Sequence, residues 1–426
     1  MLDIKFIREN ADVVKKAAQD KLFNVDIDRL LEVDNELKLL NQKLDEIKEE
    51  RNKLSSLIPS LSSEEKQEKI KYVKELKEKI SEMENQISPL KEEFDNIMLT
   101  LPNPTLPEVP IGKDENDNVE LRTWGEIRKF DFEPRDHVEL GEMLDLMDFA
   151  HASKIAGSRT YYLKNDAVLL EMAVCRYVLD KLVSKGFCPM SVPVMVKDIA
   201  MKGTGYFPLG KEQAYAITED DLYLVGTSEV SLVSYHNGET LNKKDLPILY
   251  AGYSNCVRRE AGTYGKDTRG LYRVHQFTKI EQVAICAADS DEQYKIHDFL
   301  LNNSEEVLQD LKIPYRVVQV CTGDIGIGQI RKHDIEAWMP SRNAYSETHS
   351  CSSFNDFQAR RSNIKYRDDD GTTKYVYTLN NTAIASPRIL IPILENYQNE
   401  DGTITIPEVL VPYMGGKTKI ELPKAK

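Results

Sequence analysis

Residues 256–283 read CVRREAGTYGKDTRGLYRVHQFTKIEQV, the pattern of two strands joined by a long loop. Arg258 and Glu260 stand two apart, which on a strand puts them on one face. Beyond a loop containing Gly, Lys and Asp, the residues Arg273, His275, Phe277, Lys279 and Glu281 alternate along a second strand. One face of such a hairpin carries cations, carboxylates and a single aromatic ring. A hydrophobic core has no use for that face, whereas a site for a nucleotide and a zwitterion does.

Three further segments carry matching chemistry. Residues 222–229, LYLVGTSE, form an apolar strand ending in the hydroxyls of Thr227 and Ser228 and the carboxylate of Glu229. Residues 347–350, ETHS, place the Glu347 carboxylate and the Ser350 hydroxyl three apart, with Thr348 and His349 between them. Hard oxygen donors of this kind suit Mg²⁺. Residues 380–388, NNTAIASPR, read as a helix start with Ser386 as cap, Pro387 in first position and Arg388 in the first turn. A cation there strengthens the positive end of a helix and suits a phosphate. Taken singly, Glu229 could be a solvent-facing strand end, Glu347 a surface charge and Arg388 half of a structural ion pair. Their coincidence with the hairpin in one region is what points to a site.

The surrounding chain sets limits. At 426 residues it suits two or three domains. The composition is 41 % hydrophobic and 30 % charged, with a formal net charge of −14. That charge argues against wholesale coating of nucleic acid and still permits a local basic patch. Six cysteines without CxxC pairing fit free thiols in a reducing compartment, not a zinc site or a disulfide framework. The first residues, MLDIKFIRENADVVKK, lack the apolar core of a signal peptide, and no apolar run is long enough to cross a membrane. The expectation is a soluble cytoplasmic protein.

Two heptad series occupy the N-terminal quarter. Leu30, Val33, Leu37, Leu40, Leu44, Ile47, Leu54 and Ile58 follow spacings of three and four, with Arg51 in one seam position. Val73, Leu76, Ile80, Met83, Ile87, Leu90, Phe94 and Ile97 repeat the pattern. Between them Pro59 stops one helix, and a serine before Glu64 and Glu65 starts the next. The spacing predicts an antiparallel coiled-coil hairpin over residues 30–97, bent locally at Pro89; a dimerisation coil fits the same periodicity. The second helix carries Lys66, Lys69, Lys71, Lys74 and Lys77 interleaved with Glu68, Glu75 and Glu78. A solvated face and a phosphate-binding face both fit that run.

Residues 101–118, LPNPTLPEVPIGKDENDN, hold four prolines and no periodicity, so they read as a linker. The expected domains are a helical arm over 1–110 and a second domain over 111–426. After the linker, short strands arrive in hairpin-like succession without βαβ alternation, so the fold class is α+β around an antiparallel sheet. Neither GxxxxGK[ST] nor GxGxxG occurs, which removes the two commonest nucleotide folds.

These motifs together resemble the seryl-tRNA synthetase family of the bacterial type, class II aminoacyl-tRNA synthetases with an N-terminal helical arm. Residues 186–193, GFCPMSVP, are similar to motif 1, whose Pro193 marks the dimer interface. The hairpin is similar to motif 2, and residues 380–398 to motif 3. TSE, VHQF, AWMPS, ETHSCS and LNNTA complete the resemblance. It implies that Arg258 binds the ATP α-phosphate and the serine carboxylate, with Arg259 beside it. Glu260 meets the adenine amino group, Val274 lines the nucleotide and Phe277 stacks on the base. Arg273 and Arg388 hold the outer phosphates, and Glu347 and Ser350 hold Mg²⁺, with Thr348 and His349 in the same ATP-binding segment. Thr227, Ser228 and Glu229 take the serine ammonium end, while Glu281, Asn380 and Thr382 read the rest of serine.

The implied activity is ligation of L-serine to tRNA(Ser) with ATP as substrate, with tRNA(Sec) left open as a further acceptor. The implied partners are these substrates and a second copy of the chain. The coiled-coil arm would contact tRNA through lysines such as Lys66, Lys69, Lys71, Lys74 and Lys77, and loop 261–270 would meet ATP and then the acceptor end. An ionised carboxylate needs no general base to attack phosphorus, so His275 is expected to be structural. Val257 stands where the family often has an aromatic residue. Pro392 inside the motif 3 helix is expected to bend it or cost about 3 kcal/mol. No accessory zinc ligand set accompanies the motifs. Two other readings are weaker: an inactive RNA-binding paralogue would usually lack some of these arginines, and an aminoacyl-carrier-protein ligase would lack the heptad arm.

Overall fold

The computed structural model describes residues 1–423 except 264, 266 and 268. Its backbone packs into two units. One comprises Leu2–Gln19 and Phe23–Pro102; the other comprises Met1, Asp20–Leu22 and the chain from Asn103 onward.

The first unit is built on helices α1 (Ile27–Leu57) and α2 (Ser63–Thr100). With 31 and 38 residues they make rods of about 46 and 57 Å. They pair within one chain, so the two heptad series form a hairpin. Leu30, Val33, Leu44, Val73, Leu76 and Ile80 are buried in the seam. Ion pairs fasten the flanks: Arg29 grips Glu93 at 2.7 and 2.9 Å, and Lys48 meets Glu84 at 2.7 Å. Ser62 caps α2 in a capping box with Glu65, as the serine-then-glutamate signal requires. Helix α2 runs through Pro89 without interruption.

The second unit is organised by an eight-stranded sheet. Its strands are β1 (Val119–Trp124), β2 (Cys188–Ser191), β3 (Ile248–Val257), β4 (Gln276–Cys286), β5 (Tyr315–Gln319), β6 (Arg331–Met339), β7 (Ala344–Ser353) and β8 (Tyr377–Ser386). The spatial order is β1-β5-β6-β7-β8-β4-β3-β2. All neighbours are antiparallel except β2 and β3. The α+β expectation therefore holds. Alternation assigns the two faces of β4. Ile280 and Ala284 join the main core, which includes Leu170, Val174 and Val178 of helix α3 (Asp166–Ser184) and Leu300 and Leu308 of helix α5 (Ser290–Asp310). Phe277, Lys279 and Glu281 point to the other face.

Residues 101–118 are not a free linker. Asn103 N–H donates to Ile327 O at 2.8 Å, Leu106 N–H to Ile330 O at 2.9 Å, and Asn118 Oδ1 accepts from Cys321 N–H at 2.8 Å. The prolines forbid helix, but the remaining backbone donors still need partners, and the loop 321–330 supplies them.

Candidate functional site

Strands β3 and β4 pair from Ile248↔Ile285 to Val257↔Gln276, and the regular ladder stops there. Arg258 N–H still reaches His275 O at 2.9 Å, but Arg259 N–H turns to Gln213 O at 2.9 Å. Glu260 then adopts φ +51°, outside the strand region. Arg258 and Glu260 thus lie beyond the strand, as do Arg273 and His275, which corrects the expectation of a shared strand face. Arg258, Glu260 and Arg273 line one cleft because the chain changes partners at Arg259. His275 holds this turn: its ring Nδ1 lies 2.9 Å from Arg258 O. Of the loop 261–270, positions 264, 266 and 268 lie outside the described residues.

Guanidiniums crowd the cleft. Arg258 donates from Nε to Gly226 O at 3.2 Å, with its charge 5.2 Å above the Phe277 ring. Arg273 Nη1 donates to Glu260 at 2.8 Å. Arg388 donates to the carbonyls of Tyr272 and Glu347, each at 3.2 Å. It does so without the helix start expected at Ser386. Strand β8 runs to Ser386, whose hydroxyl donates to Glu171 at 2.8 Å, and helix α6 (Leu390–Asn396) begins only at Leu390. Arg388 is therefore aimed by the turn between strand and helix. Pro392 is the third residue of α6, where its missing N–H would have had no intrahelical acceptor, so the expected cost does not arise.

Two β-bulges set the floor of the cleft. Between β6 and β7, Glu336 faces Glu347 while Ile335 faces His349, so Thr348 is the extra residue. Residues three apart on a strand normally face opposite ways; the bulge restores Glu347 and Ser350 to one side, across from Glu336 and Asp334. Surrounding protein tends to raise the Glu347 carboxyl, but Arg388, Lys332, Arg258 and Arg273 together outweigh that and hold it below its ordinary pKa. Among the described residues no group of three or more His, Cys, Asp or Glu could hold a metal. Glu347 and Ser350 offer two hard oxygen donors on one side of the strand, of the kind that would suit Mg²⁺. The second bulge, at Ala383 between β4 and β8, brings Thr382 directly across from Glu281 and Ala385 across from Lys279.

A buried polar cluster borders the cleft. Lys279 Nζ donates to Thr227 Oγ1 at 2.7 Å and contacts the Glu281 carboxylate. Lys279, Glu281, Thr227 and Glu229 are each at most 5 % exposed. Glu229 is the first residue of the short helix α4 (Glu229–Ser234), not a solvent-facing strand end. It accepts from Tyr206 Oη at 2.8 Å and from Gln358 Nε2 at 2.6 Å. Gln358 Oε1 in turn accepts from Thr378 Oγ1 at 2.6 Å, which orients the amide. Burial, then the charge of Glu281, push the Glu229 carboxyl above its ordinary pKa, against the pull of the Gln358 and Tyr206 hydrogen bonds.

Some expected site residues do not line the cleft. Arg259 is exposed and touches Gln213 through its backbone. Ser228 is sealed against β3, where a Cβ on Gly252 would come within 2.6 Å of its hydroxyl. His349 is buried beside Thr348, and burial pushes its ring down to about 4, so it is neutral at pH 7. Asn380 is buried on the Thr382 side of β8, farther along the strand. Sequence reasoning missed Lys279 as a site residue, and with it Tyr206 and Gln358. The alternation in TKIEQ was the available signal for Lys279; nothing local marks the other two. On α2, Lys66, Lys71, Lys74 and Lys77 are exposed and Lys69 is half-buried.

A family model described as the tRNA synthetase class II core domain (G, H, P, S and T) matches residues 215–397, and one described as the seryl-tRNA synthetase N-terminal domain matches residues 1–105. The chain is 46 % identical over 423 residues to the serine–tRNA ligase of Deinococcus radiodurans, covering 99 % of this chain and all of the relative. Among solved structures, the seryl-tRNA synthetase of Pyrococcus horikoshii complexed with ATP superposes with a TM-score of 0.90 at 41 % identity, with both chains fully covered. The cytoplasmic serine–tRNA ligase of Naegleria fowleri in complex with AMP gives 0.87 at 31 % identity, covering 100 % of this chain and 99 % of the other.

Proposed function

The chain belongs to the seryl-tRNA synthetase family, and from that premise we propose how its residues carry the reaction. It is an ATP-dependent aminoacyl-tRNA ligase that activates serine as seryl-adenylate and passes the seryl group to tRNA. The observation supporting the residue roles is the gathering of complementary groups at one cleft. The Phe277 ring and the guanidiniums of Arg258, Arg273 and Arg388 line it together, and a buried cluster of Lys279, Thr227 and two carboxylates borders it.

ATP lies with its base at Phe277, Val274 and Glu260 and its phosphates among the arginines. Serine enters the buried cluster, its ammonium facing Glu229 and Thr227 and its hydroxyl facing Glu281 and Thr382. The serine carboxylate attacks the α-phosphorus in line, the bond to the β-phosphate oxygen breaks, and pyrophosphate leaves. Both reactants are anions, so approach is the main obstacle; Arg258, shared between carboxylate and α-phosphate, lowers that barrier. Glu347 and Ser350 would hold Mg²⁺, which supplies further charge neutralisation at the phosphates. The tRNA acceptor hydroxyl then attacks the activated carbonyl and AMP leaves.

Lys279 completes the serine pocket. Two carboxylates so close and so buried would repel each other and resist ionisation without a counter-charge, and Lys279 sits against Glu281 and Thr227 to provide it. Alanine and glycine leave these polar groups unpaired, which gives large discrimination; threonine brings a methyl that a tight pocket rejects.

The acceptor is tRNA(Ser), gripped by the helical hairpin through Lys66, Lys71, Lys74, Lys77 and the half-buried Lys69 of α2. The working unit is a homodimer formed around Pro193. In support, Val168, Leu169 and Met172 on α3 are 37 %, 50 % and 64 % exposed, and the edge strand β2 is largely uncovered. No described helix is long and apolar enough to cross a membrane, and the cytoplasm is the proposed compartment. ATP–pyrophosphate exchange measured across the standard amino acids tests the activity. Serine is expected to drive exchange above all others, and a different preferred amino acid would overturn the reading.

A further inference from the structure

One contact beside the cleft is not explained by these roles. The Asp267 carboxylate, from loop 261–270, accepts from Arg342 Nη2 at 2.7 Å and lies 3.8 Å from Arg273 Nε. A single anionic group therefore already spans the two guanidiniums. It satisfies only one of them: among the described residues Arg273 Nε is buried and has no hydrogen-bond acceptor. A buried cationic donor left unpaired is costly. With Oδ1 held by Arg342, the Asp267 carboxylate leaves its Oδ2 3.8 Å from Arg273 Nε, beyond hydrogen-bond reach.

Arg342 is placed for a ligand. It ends the 3-10 turn Pro340–Arg342, and that turn is pinned from below: Ser341 donates its N–H and its hydroxyl to the fully buried Glu395 carboxylate at 3.0 and 2.8 Å. Its guanidinium stacks 3.9 Å from the centroid of the Tyr272 ring, and the Arg388 guanidinium lies 4.4 Å from the same ring. Tyr272 thus serves as a common platform for Arg342 and Arg388, while Asp267 links Arg342 to Arg273. Arg273 and Arg388 line the cleft, and Arg342 is joined to them through Asp267 and the Tyr272 ring. The side chain of Arg342 is still one-third exposed, so an incoming anion can reach it.

We propose that Arg342 is a further ligand for the outer phosphates of ATP, and that Asp267 occupies this phosphate position in the free enzyme. The proposal rests on the nucleotide placement given above. A phosphate has three oxygens and more charge than a carboxylate, so it pairs Arg342 and satisfies Arg273 Nε together. ATP binding displaces the Asp267 carboxylate from Arg342, and pyrophosphate departure lets it return. Arg269 is bonded to Asp136 at 2.6 Å and takes no part in the exchange.

The test is direct titration of the full chain with Mg-ATP in the absence of serine, beside serine-dependent exchange kinetics. Arg342→Gln is expected to weaken ATP binding about tenfold, the loss typical of one charge-assisted contact, with the serine KM unchanged. Asp267→Asn is expected to tighten ATP binding severalfold, and this gain is expected to vanish in the Arg342→Gln background. Unaltered ATP affinity in Arg342→Gln would overturn the phosphate role. An equal gain from Asp267→Asn with or without Arg342 would overturn the masking role and leave only a general charge effect. Absence of serine-driven exchange in the wild-type chain would instead remove the family activity, while the ATP titrations still decide the role of Arg342.

Discussion

Lys279 shows how far a residue's role depends on what surrounds it. On a strand surface it would be one more exposed lysine; here it is nearly inaccessible and faces a hydroxyl and a carboxylate. Removing one partner of a buried pair strands the other charge, so Lys279→Met is expected to cost about 3–5 kcal/mol of stability and abolish serine activation. Pairing it with Glu281→Leu is expected to restore much of the melting temperature but none of the exchange activity. Failure of the double variant to regain stability would show that the pair is not the cause. Glu281→Ala alone is expected to raise the serine KM steeply while ATP affinity holds, checked by exchange kinetics and Mg-ATP titration. Glu229 adds a pH signature. Its carboxyl is raised by burial and by Glu281, and only the ionised form attracts an ammonium group. Serine affinity is therefore complete above that raised pKa and falls as pH drops through it, starting above the ordinary carboxylate range. In Glu229→Gln this acid limb is expected to disappear from the pH profile of the serine KM, on a lower overall affinity.

Among the elements, the helical hairpin is the most separable. The Arg29–Glu93 ion pair brings the two helices together near the base of the hairpin, so a flexible splice can replace residues 30–97. Such a deletion is expected to abolish tRNA charging and to leave serine-dependent exchange intact; loss of both activities would contradict a division of labour between the two units. Reversing the charges of Lys71, Lys74 and Lys77 is expected to weaken tRNA binding and to reduce its log–log salt slope by about one per lost phosphate contact. An unchanged slope in a filter-binding series would make these lysines an ordinary solvated face. The strand elements carry a different lesson. The bulges at Thr348 and Ala383 decide which side chains share a face with the cleft. A bulge is one residue of extra backbone, and no residue in ETHS or LNNTA announces it.

For the molecule as a whole, the proposed dimer is the next level of assembly. Leu169 and Met172 expose apolar surface on α3, and Met172→Glu is expected to shift the protein toward monomer, read by sedimentation at micromolar concentration. An unshifted dimer would place the interface elsewhere.

The heptad series, the capping box at Ser62 and Glu65, the antiparallel character of the large sheet, and the coincidence of Arg258, Phe277, Glu347 and Arg388 were all legible in the order of residues. Each depends on local periodicity or on residue type, which the chain carries wherever it folds. The errors came where distant segments compete for the backbone. Arg258 and Glu260 left the strand because Gln213 captured Arg259. The stretch 101–118 was ordered by the loop 321–330, and Arg388 was aimed by a turn rather than a helix end. The charge state of Glu229, the pairing of Lys279 with Glu281 and the bridge from Asp267 to Arg342 are also properties of neighbours far apart in sequence. By itself the sequence determined which chemical groups were available and on what kind of element. Only the tertiary structure decided which of them meet, because burial and hydrogen-bond competition act between segments that the linear order keeps apart.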